Sequence, residues 1–552
     1  MSNKEIAYAF DELASLMELH EEDDFRIRSY RNAYLNLRKV ENPLIDMSDT
    51  EIKAIKGVGP AIAAKIHELL GGGKMGALEK YRAQTPPGVI EMLDVNGFGP
   101  KKVRLVWKEM GIESIGELWY ACNENRLVEY KGFGLKTQED LKSKLEYYLR
   151  SRHKLHYNVA EEEADFAISR LAGKLPGAKL TPVGELRRRC SVVERIEILL
   201  GYDGSPEAAF DGEAILLESK NAHRYNLKLE NGTPFTLIQC APDAFEFALF
   251  EHSGPSSFVD AFVKLRPELD FKKAGTEQQI FEQAGLPFIE PELRDLPDIL
   301  ARAQAGALPK LVEESEIKGI LHVHSTYSDG LHDLRSMCTY AKQLGYDYIG
   351  ITDHSQSAFY ANGLKPDRIL AQMEEIDRLN EELAPFRIFK GVESDILNDG
   401  SLDYEDALLE KFDFIIASVH SNLKMSKEKA TERVLRAIEN PFTTILGHPT
   451  GRLLLSREGY PLDWERIFEA CAKHKVSIEL NANPYRLDLD WSLIPEALRL
   501  GIPISINPDA HSRDGYDHIK YGVLAARKGG LTAAQCLNAR DLAGFEAYLK
   551  GR

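Results

Sequence analysis

Cysteine is scarce in this chain. The six cysteines, Cys122, Cys190, Cys240, Cys338, Cys471 and Cys536, lie far apart and never form a CxxC pair. That spacing argues against a disulfide scaffold and against a thiolate-rich zinc site, and it fits a reducing compartment. Long apolar runs are missing as well. No stretch of about 20 apolar residues is present to span a bilayer. The opening MSNKEIAYAFDEL carries acidic residues where a secretory leader has an apolar core. A cytoplasmic protein without membrane contacts is the expectation. Positive charge is in deficit too: 69 basic residues face 86 acidic ones, a net charge of −17. The summed field therefore does not draw the chain to nucleic acid. Any such contact must be local, through patches, backbone amides or bound metals.

What is present is an ordinary globular composition, 43% hydrophobic and 28% charged, over 552 residues. That length is too great for one hydrophobic core. The first 150 residues read as helical, with Phe10, Leu13 and Met17 at helical spacing. Within them, IKGVGPAIAAKIHELL and VNGFGPKKVRLVWKEMG each place a GxG turn between two short helices. EYKGFGLKTQEDLKSKL is a weaker third copy. From about Tyr157 a helix leads into strand-like runs, with a hairpin signal at Asn231-Gly232. Residues 266–317 are acidic and broken by prolines, which reads as a linker. From 318 onward, seven short apolar strands alternate with amphipathic helices, the signature of a parallel α/β barrel. The expected architecture is multidomain. It comprises helical segments 1–80 and 81–155, an α/β segment with its linker at 156–317, and the barrel at 318–552.

The chemistry-bearing residues of the last segment fall where its strands end. They are His322, His324, Asp329, His354, Glu393, His420, His448, Asp509 and His511. Residues at the C-terminal ends of parallel strands converge on one face. His322 and His324, two apart on a strand, point the same way. Six of the fifteen histidines occupy such places. Nine nitrogen and oxygen donors exceed the need of one metal, and imidazole with carboxylate suits zinc, manganese or iron. Asp353 reads equally as a residue orienting a neighbouring ligand or as a helix cap. Arg452 is a candidate for neutralising substrate phosphate.

LHVHSTYSDG, ITDHS, GVESDI, ASVHS, LGHP and NPDAHS resemble the motifs of the PHP (polymerase and histidinol phosphatase) family. The resemblance implies a trinuclear metal phosphoesterase on a distorted (β/α)7 barrel. It assigns His322, His324, Glu393 and Asp509 to one ion. Glu393, His420 and His448 would hold a second, and Asp329, His354 and His511 a third. The nine are both the metal and the catalytic candidates, for up to three divalent ions: manganese, zinc or iron(II). The GxG units resemble helix-hairpin-helix motifs. Gly57, Gly59, Gly97, Gly99, Gly132 and Gly134, with Lys101, Lys102 and Arg104, are the candidate DNA-backbone contacts.

FRIRSYRNAYLNL and the hairpins, read with the barrel, resemble bacterial family X DNA polymerases that carry a C-terminal PHP domain. Segment 156–317 would then be a nucleotidyltransferase-like palm with a thumb-like part. In GELRRRCSVVERIEI, Gly184, Arg187 and Arg188 match the family's centre. Glu185 stands where that family has serine. Arg195, Glu197 and Thr236 stand where it has its three metal-binding aspartates. Nucleotidyl transfer by two metal ions needs those carboxylates, so the polymerase centre is expected to be inactive. The implied function is a metal-dependent 3′-5′ exonuclease acting in DNA repair on single-stranded ends, gapped or abasic duplex, and 3′-phosphates. Alternatives are a small-molecule phosphomonoesterase, a polymerase that is still active alongside its nuclease, and a non-catalytic DNA-binding scaffold. Protein partners are not legible in the sequence.

Overall fold

The computed structural model describes residues 1, 3–40, 42–95, 97–130, 132–150, 154–210, 212 and 214–552. They divide into two units: Met1–Asn123 with Tyr130–Leu149, and Glu124–Glu129 with Arg150–Arg552. The first unit is helical. Helix α1 (Asn3–Leu19) buries Ile6, Phe10, Leu13 and Met17, a 4-3-4 spacing that puts one apolar stripe on α2 (Asp24–Leu37). Two helical hairpins follow, α3 (Asp49–Ala54) with α4 (Pro60–Gly72), and α5 (Pro87–Met92) with α6 (Pro100–Lys108). Pro60 and Pro100 occupy the first helical position, where the missing N–H costs nothing. Helix α7 (Leu135–Arg150) begins one residue after Gly134.

In the second unit a five-stranded sheet comprises β1 (Lys179–Val183), β2 (Ile196–Gly201), β3 (Ile215–Asn221), β4 (Arg224–Leu229) and β5 (Pro234–Cys240). Its order is β1-β2-β5-β4-β3. The expected hairpin is the β4–β5 pair, with Gly232 at φ +93° and Asn231 Oδ1 accepting from the Thr233 amide. Helix α8 (Tyr157–Lys174) covers the sheet with Ala160, Ala164, Ala167 and Leu171.

Residues 266–317 differ from the linker reading. With the helices just before them they form a small helical body, α9 (Phe245–His252), α10 (Ser256–Leu265), α11 (Glu277–Ala284) and α12 (Ile299–Gln304). At its centre Arg294 is buried among Phe250, Phe258, Phe281 and Phe288. Its guanidinium pairs with Glu277 at 2.7 Å and donates to the Ile289 carbonyl. The prolines do break the helices, but phenylalanines scattered over short segments still share one core.

Seven parallel strands make the third layer system: β6 (Gly319–Ile320), β7 (Tyr348–Ile351), β8 (Arg387–Asp395), β9 (Phe414–Ser418), β10 (Ile445–Leu446), β11 (Ser477–Asn481) and β12 (Ile504–Asn507). They pair in chain order. The sheet closes where the Ala510 amide donates to the His322 carbonyl and the His324 amide donates to that of Ala510. The expected fold class, helical region, central α/β region and distorted parallel barrel, is therefore observed. Among the described residues no helix is long and apolar enough to cross a membrane.

Candidate metal centre and nucleic-acid-facing turns

Barrel closure brings the strand ends together, and Glu393 stands at their meeting point. Its side chain, 1% exposed, lies 2.9 Å from His354 Nδ1, 2.9 Å from His448 Nε2, 3.1 Å from His420 Nε2 and 3.4 Å from His322 Nε2. His324 Nε2 is 3.7 Å away from it and 3.1 Å from Asp509 Oδ1. Asp329 faces His324, His354 and His511 at 3.9, 3.7 and 3.4 Å. All nine residues singled out in the sequence thus share one buried pocket. Three groups have donor atoms close enough to hold an ion each: His324, Asp329, His354 and His511; His322, His324 and Asp509; and His354, Glu393 and His420. The grouping differs in detail from the sequence assignment. His324 belongs with Asp329 as well as with Asp509, and His354 also reaches Glu393.

Imidazoles and carboxylates of the pocket shift one another's protonation. Burial alone would raise Glu393, but His420, His322 and His354 more than offset it and hold the carboxyl well below its usual range. Burial likewise opposes charge on His420, yet Glu393 and Asp395 raise that imidazole to about 10. Burial, with His511 and His354, lowers His324 to about 4. His322 Nε2, His324 Nδ1, His354 Nε2, His511 Nε2 and Asp329 Oδ2 are buried without a hydrogen-bond partner. A buried polar atom without a partner is costly. Ionised carboxylates beside such nitrogens fit divalent cations.

Further carboxylates and amides, Glu479 and Asn481 at the end of β11 among them, hold the ligands. Glu479 Oε1 accepts from His322 Nδ1 at 2.7 Å and from Asn507, while its Oε2 accepts from the His448 amide. Asp395 accepts from His420 Nδ1 at 2.5 Å. Each pairing leaves the opposite ring nitrogen aimed at the pocket. Asp395 was findable, since it lies two residues after Glu393 on one strand. Asn481 donates to Asp509 Oδ2 and helps hold Asp509 at φ +52°, a strained conformation for a residue with a side chain. Asp353 caps no helix. It gathers the Ser325 and Ser328 amides and so braces the turn that carries Asp329. Arg452 does not reach the pocket. It is committed to Asp490 at 2.6 Å and to the Arg486 and Leu487 carbonyls.

In the helical unit, Val58, Phe98 and Phe133 point inward, and the glycines on either side of each are exposed. Gly57 and Gly97 adopt φ +82° and +79°, where a β-carbon would be strained. Gly132 is also left-handed, and a β-carbon at Gly59, Gly99 or Gly134 would meet only open space. The amides after these turns are thus approachable. Lys101 is exposed and Lys102 lies 5.9 Å over the Phe133 ring, whereas Arg104 is paired with Glu21.

Family models match the helical unit and the barrel. Residues 321–483 match the PHP domain, residues 1–75 a helix-hairpin-helix domain, and residues 89–146 a SAM-like helix-hairpin-helix tandem. A Bacillus subtilis (strain 168) protein named DNA polymerase/3'-5' exonuclease PolX is 32% identical over 577 residues, covering 100% of both chains. This chain belongs to the PolX family. Proteins named probable phosphatase, from Thermoanaerobacter sp. (strain X514) and Syntrophotalea carbinolica (strain DSM 2380 / NBRC 103641 / GraBd1), are 26% and 28% identical. They cover 42% and 40% of this chain, and 89% and 90% of their own length.

Strand register sets Glu197 beside Thr236, and Arg195 Nη1 lies 3.4 Å from Thr236 Oγ1. Glu197 is paired with Arg224 at 2.5 Å, and Glu185 accepts from the Glu194 amide at 2.6 Å. A cavity of about 460 Å³ opens here, lined by Lys154, Arg188 and Arg195 as well as by Glu185, Glu194, Glu197 and Gly184. Thr236 is buried and contributes no charge. Arg187 turns away to Glu277, and Arg188, on the cavity wall, pairs with Asp295.

Proposed function

We propose that this PolX-family chain hydrolyses DNA phosphodiesters at its barrel, removing nucleotides from 3′ ends in DNA repair, and that its nucleotidyl-transfer centre is silent. The observation that carries the reading is the convergence of six imidazoles and three carboxylates, His322, His324, Asp329, His354, Glu393, His420, His448, Asp509 and His511, on one pocket. Bound divalent cations lower the pKa of water and stabilise charge on a transferring phosphoryl group. Manganese and zinc suit the donor set, and iron(II) is compatible. The protein's own part is orientation. Glu479 and Asp395 hold His322 and His420 by their Nδ1 atoms, and Asp353 braces the Asp329 turn.

Residues 1–80 and 81–155 serve as the DNA grip, through the exposed turn amides and Lys101 and Lys102. Residues 156–317 serve as a degenerate palm and thumb, and 318–552 as the hydrolase. Silence at the palm is supported by Arg195, a positive charge at a position where, by the resemblance, the family carries a metal-binding aspartate. It is supported further by Glu197, already neutralised by Arg224. The probable phosphatases matching the barrel favour a second reading, a small phosphomonoesterase. The helix-hairpin-helix turns argue for DNA over that reading.

The test is purified protein with Mn²⁺ and 5′-labelled single-stranded, gapped and abasic DNA, with and without nucleotides. Ladders of shortened products that vanish in His322→Ala and with EDTA, with no extension, are expected. Extension by the wild type, or full nuclease activity in the variant, refutes the proposal. Hydrolysis of a small phosphate ester alone, with DNA left intact, selects the second reading.

A further inference from the structure

Two of the imidazoles in the pocket are oriented by carboxylates of the barrel itself: His322 by Glu479 and His420 by Asp395. His511 also has a carboxylate beside its Nδ1, from far away in the chain, as a close ion pair whose buried Oε2 makes no hydrogen bond. Glu124 Oε2 lies 2.7 Å from His511 Nδ1, and the Glu124 side chain is only 8% exposed. The other nitrogen, His511 Nε2, faces Asp329 Oδ1 at 3.4 Å and makes no hydrogen bond. The His511 ring stacks on His324 with centroids 4.2 Å apart and planes 15° apart, so a change in its tilt moves it directly against a second ligand. The segment Glu124–Glu129 groups with the barrel's unit. It is seated there a second time by the Arg126 guanidinium, 4.7 Å over the Tyr360 ring, which itself neighbours His354 and His420.

We propose that Glu124 is a positioning residue of the hydrolytic centre, accepting the Nδ1 proton of His511 and so presenting Nε2 to the ion held with His324, Asp329 and His354. The inference rests on the reading of these residues as metal ligands. It has a consequence for where the centre ends. Glu124 precedes all seven barrel strands, so the third imidazole–carboxylate pair is completed by a segment that the barrel sequence does not contain. The Asp509 carbonyl, 3.1 Å from His511 Nδ1, is hydrogen-bonded to it and competes with Glu124 for the same proton. Loss of Glu124 should therefore loosen the ring without freeing it, and removing such a partner typically costs about 10–100-fold in metal affinity.

The experiment uses the full chain, stripped with EDTA and titrated with Mn²⁺, free Mn²⁺ being read by electron paramagnetic resonance. Glu124→Ala should weaken one class of Mn²⁺ site about tenfold, the low end of that range because the carbonyl remains. Glu124→Gln keeps the shape and an acceptor oxygen without the charge, so it should fall between Ala and wild type. Nuclease activity of both variants should drop at limiting Mn²⁺ and recover at excess, with the unfolding temperature of the stripped proteins unchanged. A structural role alone would lower that temperature and give no recovery. A wild-type isotherm in both variants overturns the role of Glu124 while leaving the metal centre standing. A wild type that binds no Mn²⁺ overturns both.

Discussion

Replacing Asp353 tests whether the metal centre depends on a residue that touches no substrate. The carboxylate is 1% exposed and accepts five hydrogen bonds. Oδ1 takes the Ser325 amide at 2.8 Å, the Ser328 amide at 3.0 Å and the Ser328 hydroxyl at 2.5 Å. Oδ2 takes the Ser325 hydroxyl at 2.7 Å and Gln372 Nε2 at 2.6 Å. Hydrogen bonds to an ionised group contribute roughly 1.5–3 kcal/mol each, but they do not add. The hydroxyls can rotate and the Gln372 amide can turn. The two backbone amides cannot re-aim, and each left unsatisfied costs about 1–3 kcal/mol. Asp353→Ala should therefore destabilise the unit by about 3–5 kcal/mol once the small cavity is included. Asp353→Asn keeps Oδ1 for both amides and should cost about 1–2 kcal/mol. Because the Ser328 hydroxyl also lies 3.2 Å from Asp329 Oδ1, the freed turn should lower Mn²⁺-dependent cleavage of 5′-labelled single-stranded DNA by about 10–100-fold in the Ala variant. Urea unfolding and the cleavage assay measure the two effects. An Ala variant within about 0.5 kcal/mol of wild type, or an Asn variant worse than Ala, refutes the argument from fixed amides.

Two further outcomes are expected. Gly59→Glu with Gly99→Glu places carboxylates at two helix starts whose β-carbon positions are open, so the fold should be kept, with the negative charges favourable to the helix ends. DNA affinity by fluorescence anisotropy should fall about tenfold, at roughly 0.7 kcal/mol per turn, and unchanged affinity would remove the turns from the DNA grip. His156 is lowered to about 4 by burial, against the Leu454 carbonyl that favours its protonation. Between pH 6.5 and 4 the unfolded chain binds a proton that the folded chain does not. The contribution is therefore full above pH 6.5 and lost as pH falls, by at most about 2 kcal/mol at pH 5. His156→Gln should remove that part of the difference between urea midpoints at pH 7 and pH 5, and an identical difference would refute it.

The amino-acid sequence by itself determined the parts of this protein that depend on local spacing. Period-two strands dictate that His322 and His324 face one way, and the strand-helix alternation dictates a parallel barrel whose strand ends gather His354, Glu393, His420, His448 and Asp509. Glycines that must turn left-handed, with proline at the next helix's first position, mark the hairpins at Gly57 and Gly97 in the same way. Only the tertiary structure decided which carboxylate holds which ring. Glu479 for His322 and Glu124 for His511 are choices made by barrel closure and chain path, and no local period encodes them. The same is true of Arg452, drawn to Asp490, and of the segment around Arg294, whose phenylalanines form a core only when short helices pack. The physical reason is common to all of them. Side-chain direction follows from backbone geometry within a few residues, whereas partners distant in sequence meet only once the whole unit has closed.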